Sequence, residues 1–407
     1  MKTILLFAGS LLSAGAYAAA PVATNDTRNT PSNTAVTFSI TANDTDADGN
    51  ATLNLASVDL DPATSGRQTS RVVNGQGTYA VDDAGNLTFT PGSNYTGTST
   101  VSYTIQDNTS LISNATTVTV HVGPLTVVDA ATTARNQPAT VNVLDNDTDV
   151  DGLVATTLDL NPGVAGRQTT FAVTGGSFAC DNAGNVTFTP TAPYSVGLTA
   201  VVSYVVDDAT GATSNVSTFT VTTVNVPPAA VADVAYTPSN TATTFSISAN
   251  DSDSDGTLVL TTVDLDPITA GRQTTRTVSG QGTYTVDNAG NLTFTPNTNY
   301  TGSSAVTYNV QDNDGTVSNT ATATVNVGPL AVSDAAATTT SVTVNVLTND
   351  TDVNGINVAT VDLDPATAGR QTTRTVSGQG TFTVDNVGNI TFVPSSGYVG
   401  STATSYT

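Results

Sequence analysis

Apolar and polar residues alternate with a period of two over much of the chain, which is the pattern of a strand with one buried face. In residues 282–296, Tyr284 and Val286 fall on one face, and Leu292 and Phe294 do likewise after an Asp-Asn-Ala-Gly turn. Asn and Gly adopt the positive backbone angles that tight hairpin turns need. Thr and Val are abundant and Glu is absent, so the pattern predicts an all-β protein.

The strand pattern recurs about every 100 residues, a usual size for one β-sandwich domain. The string GRQT begins at Gly66, Gly166, Gly271 and Gly369. An Asp-x-x-Gly-Asn turn begins at Asp82, Asp181, Asp287 and Asp385. We therefore predict tandem Ig-like (cadherin-like) antiparallel β-sandwich repeats.

The predicted repeats are named repeat 1 (21–123), repeat 2 (124–226), repeat 3 (227–328) and repeat 4 (329–407). Their joints are short and contain Pro, which favours an elongated, semi-rigid rod. Repeat 4 is C-terminally incomplete, because the other repeats continue beyond the position of Tyr406. It is interpreted as part of a longer protein, or alternatively as a sandwich that accepts a donor strand from another chain.

The N-terminus has the pattern of a secretory signal peptide, predicted at 1–18. Lys2 precedes an apolar run, and small residues follow it, so we expect cleavage after Ala18, with Ala20 as the alternative. No other apolar stretch approaches the length of about 18 residues that a membrane-spanning helix needs. The prediction is a secreted, extracellular or cell-surface protein without direct membrane insertion.

Charge and composition exclude several classes of protein. The chain has 33 acidic and 10 basic residues and a formal net charge of -23, which argues against nucleic-acid binding. His121 is the only histidine, and Asn occupies its place in other repeats, so we expect an outward strand residue. Cys180 stands where other repeats have Val, which predicts a core thiol. No recurring catalytic triad is possible, and the predicted protein is not an enzyme.

Each repeat carries an acidic loop in which carboxylates or amides alternate before a Gly. Alternating short oxygen ligands suit Ca²⁺, which takes six to eight oxygens, although the bidentate Glu of an EF-hand is missing. Turn chemistry of Asp side chains, or a magnesium site, remains open as an alternative. The predicted calcium ligands are Asp44, Asp46, Asp48, Asp147, Asp149, Asp151, Asp251, Asp253, Asp255, Asp350, Asp352 and Asn354.

Further ligands must come from other segments. If the strands alternate in direction, the loop before the last strand and the start of the first strand lie at the same pole as the acidic loop. They carry Asp207 and Asp208 in repeat 2, and each first strand begins near an Asp such as Asp129. We therefore expect carboxylates to converge beside the joint with the preceding repeat.

Paired arginines contain most of the cationic charge outside the signal sequence. We expect them to form salt bridges with the Asp residues of the nearby DLDP segments. The arginine pairs are Arg67 and Arg71, Arg272 and Arg276, and Arg370 and Arg374, and the corresponding acids are Asp59 and Asp61, Asp264 and Asp266, and Asp362 and Asp364. A surface for an anionic glycan is the alternative. Repeat 2 has Phe171 in place of the second arginine, which favours a surface contact over a required site.

The run DLDPITAGRQTTRTVSGQGTYTVDNAGNLTFTP, with NYTG and TYNVQDNDG after it, resembles the CshA-type fibril repeat of bacterial surface adhesins. The acidic loops are similar to those of cadherin-like tandem Ig-like repeats. The resemblance implies fibrillar surface display, cell adhesion and a role in biofilms, with calcium in the cadherin-like relatives.

We thus expect a structural stalk or fibre segment of an adhesin, stiffened by Ca²⁺. Other cells and host or matrix surfaces would be contacted through an adhesive element that these repeats do not contain, and self-association is possible. The alternatives are repeats that bind glycan or matrix themselves, or a filament assembled by strand donation.

Overall fold

The computed structural model describes residues 17–191 and 195–407. The predicted signal sequence lies outside the described residues, apart from Tyr17 and Ala18. The chain divides into two compact units, Met1–Val224 and Asn225–Thr407. Repeats 1 and 2 have all their strands in the first unit, and repeats 3 and 4 have theirs in the second.

The regular secondary structure of the described residues is almost entirely β-strand, in agreement with the predicted all-β class. Repeat 1 contains β1 (Asp26–Thr30), β2 (Val36–Ser39), β3 (Leu53–Asp59), β4 (Ser70–Val73), β5 (Gly77–Val81), β6 (Asn86–Pro91), β7 (Gly97–Asp107) and β8 (Thr116–Val122). Repeat 2 contains β9 (Asp129–Ala134), β10 (Ala139–Asn142), β11 (Leu153–Asp159), β12 (Thr170–Val173), β13 (Gly176–Cys180), β14 (Asn185–Pro190), β15 (Thr199–Asp208) and β16 (Ser217–Val224).

The second unit follows the same order. Repeat 3 contains β17 (Asp233–Thr237), β18 (Thr243–Ser246), β19 (Leu258–Asp264), β20 (Thr275–Val278), β21 (Gly282–Val286), β22 (Asn291–Pro296), β23 (Gly302–Asp312) and β24 (Ala321–Val327). Repeat 4 contains β25 (Val342–Asn345), β26 (Thr373–Val376), β27 (Gly380–Val384) and β28 (Asn389–Pro394). Short 3₁₀ turns occur at Asn50–Thr52 and Val358–Thr360.

Repeats 1 to 3 are each built from two four-stranded sheets. In repeat 1 the sheets have the orders β1-β8-β7-β3 and β2-β6-β5-β4. β1 pairs in parallel with β8, whereas β7 is antiparallel to both β8 and β3. Consequently β1, β3 and β8 begin, and β7 ends, at the same pole of the repeat. This pole carries the acidic loop and the β7–β8 loop, as the expected convergence requires.

The core of each repeat lies between its sheets and uses cross-strand aromatic pairs. Tyr79 pairs with Phe89, and Tyr284 pairs with Phe294, in each case with ring centroids 4.4 Å apart. Such pairs contribute about 1 kcal/mol beyond the area they bury. Cys180 is half-buried and packs against the core of repeat 2, as predicted for a thiol in a valine position.

Three of the predicted salt bridges form. The second arginine of each pair contacts the second Asp of the DLDP segment, as Arg71–Asp61, Arg276–Asp266 and Arg374–Asp364. The expected partner of the first arginine was wrong, because Arg67 lies 3.0 Å from Asp83 rather than beside Asp59. Asp59 instead accepts the backbone N–H of Asp61 and of Gln68, so it holds the turn itself.

Candidate metal centre

The three positions of each acidic loop have different surroundings. The first Asp, which is Asp44, Asp147, Asp251 or Asp350, accepts a bond from a backbone N–H of the entering chain. The second Asp or its equivalent accepts the N–H two residues later, as in Asp149 Oδ1 to Asp151 N (2.6 Å). This second contact is the side-chain turn chemistry that the sequence left open as an alternative.

The first Asp of each loop also faces a tyrosine, which is buried in repeats 1 to 3 and half-buried in repeat 4. In repeat 2, the Tyr204 hydroxyl lies 3.3 Å from both carboxylate oxygens of Asp147 and 2.8 Å from Asp129 Oδ2. It also lies 2.9 Å from the Val127 carbonyl and 3.1 Å from the Val143 carbonyl. The corresponding tyrosines are Tyr103, Tyr308 and Tyr406. The hydroxyl has one hydrogen to donate, so several oxygens converge on a single donor.

Burial of these carboxylate pairs affects their ionisation. Burial raises the pKa of Asp147 to about 6, and the nearby charge of Asp129 acts in the same direction. Burial likewise raises the pKa of Asp26 and of Asp233 to about 6. The first Asp of each loop is thus engaged with a tyrosine and a neighbouring carboxylate. Sequence reasoning did not predict the role of these tyrosines.

The second and third loop positions of repeat 2 meet a carboxylate from the C-terminal end of β15. Oxygen atoms of Asp149, Asp151 and Asp208 all lie within 4.8 Å of one another, and this is the one such group found in the part of the chain that the structure describes. Sequence reasoning pointed to both Asp207 and Asp208. The structure brings Asp208 inward, whereas Asp207 accepts the hydroxyl hydrogen of Thr213 (2.7 Å).

Hydrogen bonds fix the Asp208 side chain through only one of its two carboxylate oxygens. Its Oδ1 accepts the backbone N–H groups of Thr210 and Ala212, each at 2.8 Å. The side chain is 3% exposed, and its Oδ2 has no hydrogen-bond partner among the described residues. Asp149 Oδ2 is buried and equally unpaired within that part of the chain. Buried, unpaired carboxylate oxygens are costly, so their convergence suits a cation or a proton.

Electrostatic repulsion in this cluster is visible at Asp149. Burial raises the pKa of Asp149, and the charges of Asp208 and Asp151 raise it further. The ligand set contains only carboxylate oxygens, which suits a hard cation such as Ca²⁺ rather than zinc, which favours nitrogen and sulfur. Oxygens on opposite sides of one Ca²⁺ lie about 5 Å apart, so the observed spread fits a single ion.

Repeat 1 also contributes to the surroundings of this cluster. The Thr98 hydroxyl lies 3.2 Å from Asp151 Oδ2 and 2.8 Å from Nδ1 of His121. The Thr96 hydroxyl accepts the N–H of Val150 (3.2 Å). The only histidine is therefore a half-buried residue of β8 that contacts a threonine beside the cluster. The cluster lies where repeat 2 meets repeat 1, as the sequence predicted for the acidic loops.

The equivalent groups in the other repeats are less complete. In repeat 3, Asp253 Oδ2 is buried without a partner in the described chain, but the Asn225 amide donates to Asp312 Oδ2 (2.6 Å). In repeat 4, Asp352 accepts the N–H of Asn354 (2.6 Å), and the third loop position is an amide rather than a carboxylate.

Fold and site together define a protein of tandem Ig-like β-sandwich repeats with acidic loops at one pole. The chain belongs to the bacterial Ig domain family, which matches residues 18–121, 122–222 and 225–328. The surface adhesin CshA repetitive domain matches residues 331–406. The predicted resemblance and fold class are confirmed by these matches. No curated protein matches the chain.

Solved structures of Ig-like and cadherin ectodomains are also similar to this chain. The human desmocollin-1 ectodomain is 13% identical, with 94% of this chain and 74% of that chain covered and a TM-score of 0.23. Drosophila N-cadherin EC1-4 is 13% identical, with 76% of each chain covered and a TM-score of 0.21. An endo-fucoidan hydrolase of glycoside hydrolase family 107 is 12% identical, with 77% of this chain and 44% of that chain covered and a TM-score of 0.21. Scores this low carry no argument, so the assignment rests on the family matches.

The match to surface adhesin repeats thus covers repeat 4, and the bacterial Ig domain matches cover repeats 1 to 3. Among the described residues, no helix is long and apolar enough to cross a membrane.

Proposed function

We propose that this chain is a non-catalytic stalk or fibre segment of an exported bacterial surface adhesin, and that Ca²⁺ bound by Asp149, Asp151 and Asp208 stiffens the joint between repeats 1 and 2. The tandem repeats and their short, Pro-containing joints support the stalk role. Other cells and host or matrix surfaces would be reached through an adhesive element elsewhere, with self-association between chains, as in a biofilm.

The observation that carries the calcium proposal is the pair of buried, unpaired oxygens on Asp149 and Asp208. Three carboxylates within 4.8 Å repel one another unless a cation or a proton compensates them. Because Thr98 of repeat 1 contacts Asp151, neutralising the cluster also affects the contact between the repeats. A divalent cation would thereby order the joint as well as repeat 2.

We expect the remaining predicted ligands to contribute less to calcium binding than the site of repeat 2. We propose a weaker site at Asp253, Asp255 and Asp312, because the Asn225 amide already neutralises part of the Asp312 carboxylate. The first Asp of each loop is assigned to the tyrosine contact rather than to direct coordination. In repeat 4, Asp352 and Asn354 would need ligands beyond the two of them.

Calorimetric calcium titration of the full chain tests the proposal. We expect binding with a dissociation constant of about 10⁻⁴ to 10⁻³ M, the range of extracellular calcium modules. Millimolar Ca²⁺ should raise the unfolding midpoint of the EDTA-treated protein, because a ligand that binds only the folded state stabilises it. Mg²⁺ should do so less, since it requires a stricter octahedral shell.

The matched variants are Asp208→Asn in repeat 2 and Asp107→Asn at the equivalent position of repeat 1. We expect Asp208→Asn to lose the strongest calcium site and most of the midpoint shift. Asp107→Asn should retain both. An unchanged titration with Asp208→Asn, or no binding at millimolar Ca²⁺, would contradict the calcium role and leave the stalk role to be judged separately.

A further inference from the structure

The described chain begins to make specific contacts with repeat 1 at Ala19. Its backbone nitrogen donates to Asp48 Oδ2 at 2.6 Å. The two described residues before it are exposed, with Tyr17 at 97% and Ala18 in the exposed class as well. A break between Ala18 and Ala19 would therefore remove no buried contact of the described chain.

The same backbone position makes the same contact in repeat 3. Val226 precedes Asp233 by as many residues as Ala19 precedes Asp26, and its nitrogen lies 3.2 and 3.3 Å from the two carboxylate oxygens of Asp255. In repeat 3 this nitrogen is an internal peptide N–H. In repeat 1 the predicted signal cleavage falls immediately before the corresponding nitrogen.

We propose that cleavage after Ala18 turns this nitrogen into an α-ammonium group, which forms an ion pair with Asp48 and acts as the fixed cation of the repeat 1 acidic loop. The inference rests on the proposed export of the chain. Hydrolysis adds the hydroxyl of water to the Ala18 carbonyl carbon and its hydrogen to the Ala19 nitrogen. The new amine then takes up a proton, because α-amino groups titrate near pH 8.

The other carboxylates of the repeat 1 loop are already satisfied by neutral donors. Asp46 Oδ2 accepts the hydroxyl hydrogen of Thr52 (2.7 Å), and Asp107 Oδ2 contacts the Thr109 hydroxyl at 2.8 Å. With Asp48 paired to the ammonium group, the loop has no carboxylate left for a divalent ion. The cation of the repeat 1 acidic loop is therefore the α-ammonium group of the chain itself, whereas the repeat 2 loop binds a cation from solution.

The sequence makes this ion pair unusually easy to follow. Lys2 is the only lysine, so after cleavage the Ala19 α-amino group is the only primary amine of the chain. The full chain is exported from a bacterial host and its intact mass is measured. It is then treated at pH 7 with a succinimidyl ester, and acylation is followed by mass spectrometry.

We expect a mature chain beginning at Ala19 that is acylated slowly, and a several-fold faster reaction for Asp48→Asn, because the amine is then released from its partner. Asp83→Asn removes an exposed charge elsewhere in repeat 1 and should leave the rate unchanged. Calcium stoichiometry measured on the same Asp48→Asn protein should equal that of the unaltered chain.

Three results would overturn the inference. A mature chain that starts at Pro21, or that retains the signal sequence, lacks the ammonium group at Ala19. Equal acylation rates for the unaltered and Asp48→Asn chains would show that no ion pair forms. Loss of one bound calcium in Asp48→Asn would make Asp48 a ligand. None of these outcomes alters the Asp208→Asn result, so the calcium proposal for repeat 2 is judged independently.

Discussion

Repeats 1 and 2 share their fold and the three acidic positions of the loop, yet their loops differ in how the carboxylates are satisfied. In repeat 1, Thr52 donates to Asp46, whereas the equivalent oxygen of Asp149 in repeat 2 is buried without a partner in the described chain. The difference comes from the three residues Asn50–Thr52, which repeat 1 inserts between Gly49 and β3 and which form a 3₁₀ turn. The short insertion thus gives repeat 1 a loop that supplies its own hydrogen-bond donor, in place of a loop suited to a cation.

The comparison teaches that the acidic motif alone does not define a metal site. Asp46 and Asp149 occupy the same motif position, and both accept an N–H from two residues later. What distinguishes them is the donor placed opposite the second oxygen. A buried carboxylate that lacks such a donor is left with a desolvation penalty that only a cation or a proton relieves.

The prediction with the largest expected effect concerns a feature that repeats 1 and 2 share. In each of them, a tyrosine hydroxyl contacts a pair of carboxyl groups. Burial raises the pKa of Asp26 to about 6 and raises the pKa of its counterpart Asp129 as well. Because the folded state binds the proton of Asp26 more tightly than the unfolded state does, the resulting stabilisation is fully present below about pH 4 and is lost as the pH rises through about 6. Asp129 acts in the same direction. In EDTA, the unfolding midpoint should therefore be higher at pH 5 than at pH 7.5.

Matched variants separate the two pairs. Asp26→Asn and Asp129→Asn should each reduce the pH dependence of the midpoint by a similar amount, since each removes one carboxylate from one pair. Differential scanning calorimetry at several pH values provides the measurement. A midpoint that increases from pH 5 to pH 7.5 in EDTA would have the wrong sign for buried, protonated carboxyl groups.

The second prediction concerns a substitution that makes the acidic loop of repeat 1 more similar to that of repeat 2. Thr52→Val keeps the side-chain shape but removes the donor to Asp46 Oδ2, so the calcium-free protein should lose about 1 to 2 kcal/mol of local stability. Local stability is measured by hydrogen exchange of the loop in EDTA. The loss should be partly reversed by millimolar Ca²⁺.

Thr37→Val is the control, because Thr37 is exposed and its hydroxyl forms a hydrogen bond with that of Thr88 on the strand surface. It should change neither the loop exchange nor its response to calcium. Equal exchange in Thr52→Val and the unaltered chain would show that the Thr52 hydroxyl is not what distinguishes the two loops.

The smallest effect concerns the contact between the two repeats. Gly97 and Gly152 both have positive φ angles, of 97° and 89°, so an added Cβ costs about 1 kcal/mol at either position. Only at Gly97 would the new carbon meet the neighbouring repeat, 3.1 Å from the Val150 Cβ; at Gly152 no described atom lies within 4 Å.

Gly97→Ala should therefore destabilise repeats 1 and 2 somewhat more than Gly152→Ala, measured as the shift of the denaturant midpoint. It should also weaken calcium binding, because Val150 lies between Asp149 and Asp151. The reverse order of the two variants would indicate that the packing of Val150 against Gly97 is unimportant for the joint.

The sequence by itself determined much of the architecture. Two-residue alternation predicted strands such as Gly282–Val286 and Asn291–Pro296 to the residue, because hairpins and their turns are local. It also predicted the salt bridge of Arg276 with Asp266, whose partners are near in the chain. The period of about 100 residues and the repeated motifs were sufficient to indicate the family, because both can be read directly from the amino-acid sequence.

Only the tertiary structure decided what each carboxylate does. Asp147 and Asp149 are the same type of residue and lie two positions apart in the chain. Asp147 nevertheless faces Tyr204, whereas Asp149 faces Asp208. Those partners lie more than fifty residues away, both on β15, and their position depends on the pairing of strands that are distant in the chain. Side-chain periodicity encodes which face is buried, whereas the donors and charges that meet there are set by how the sheets assemble.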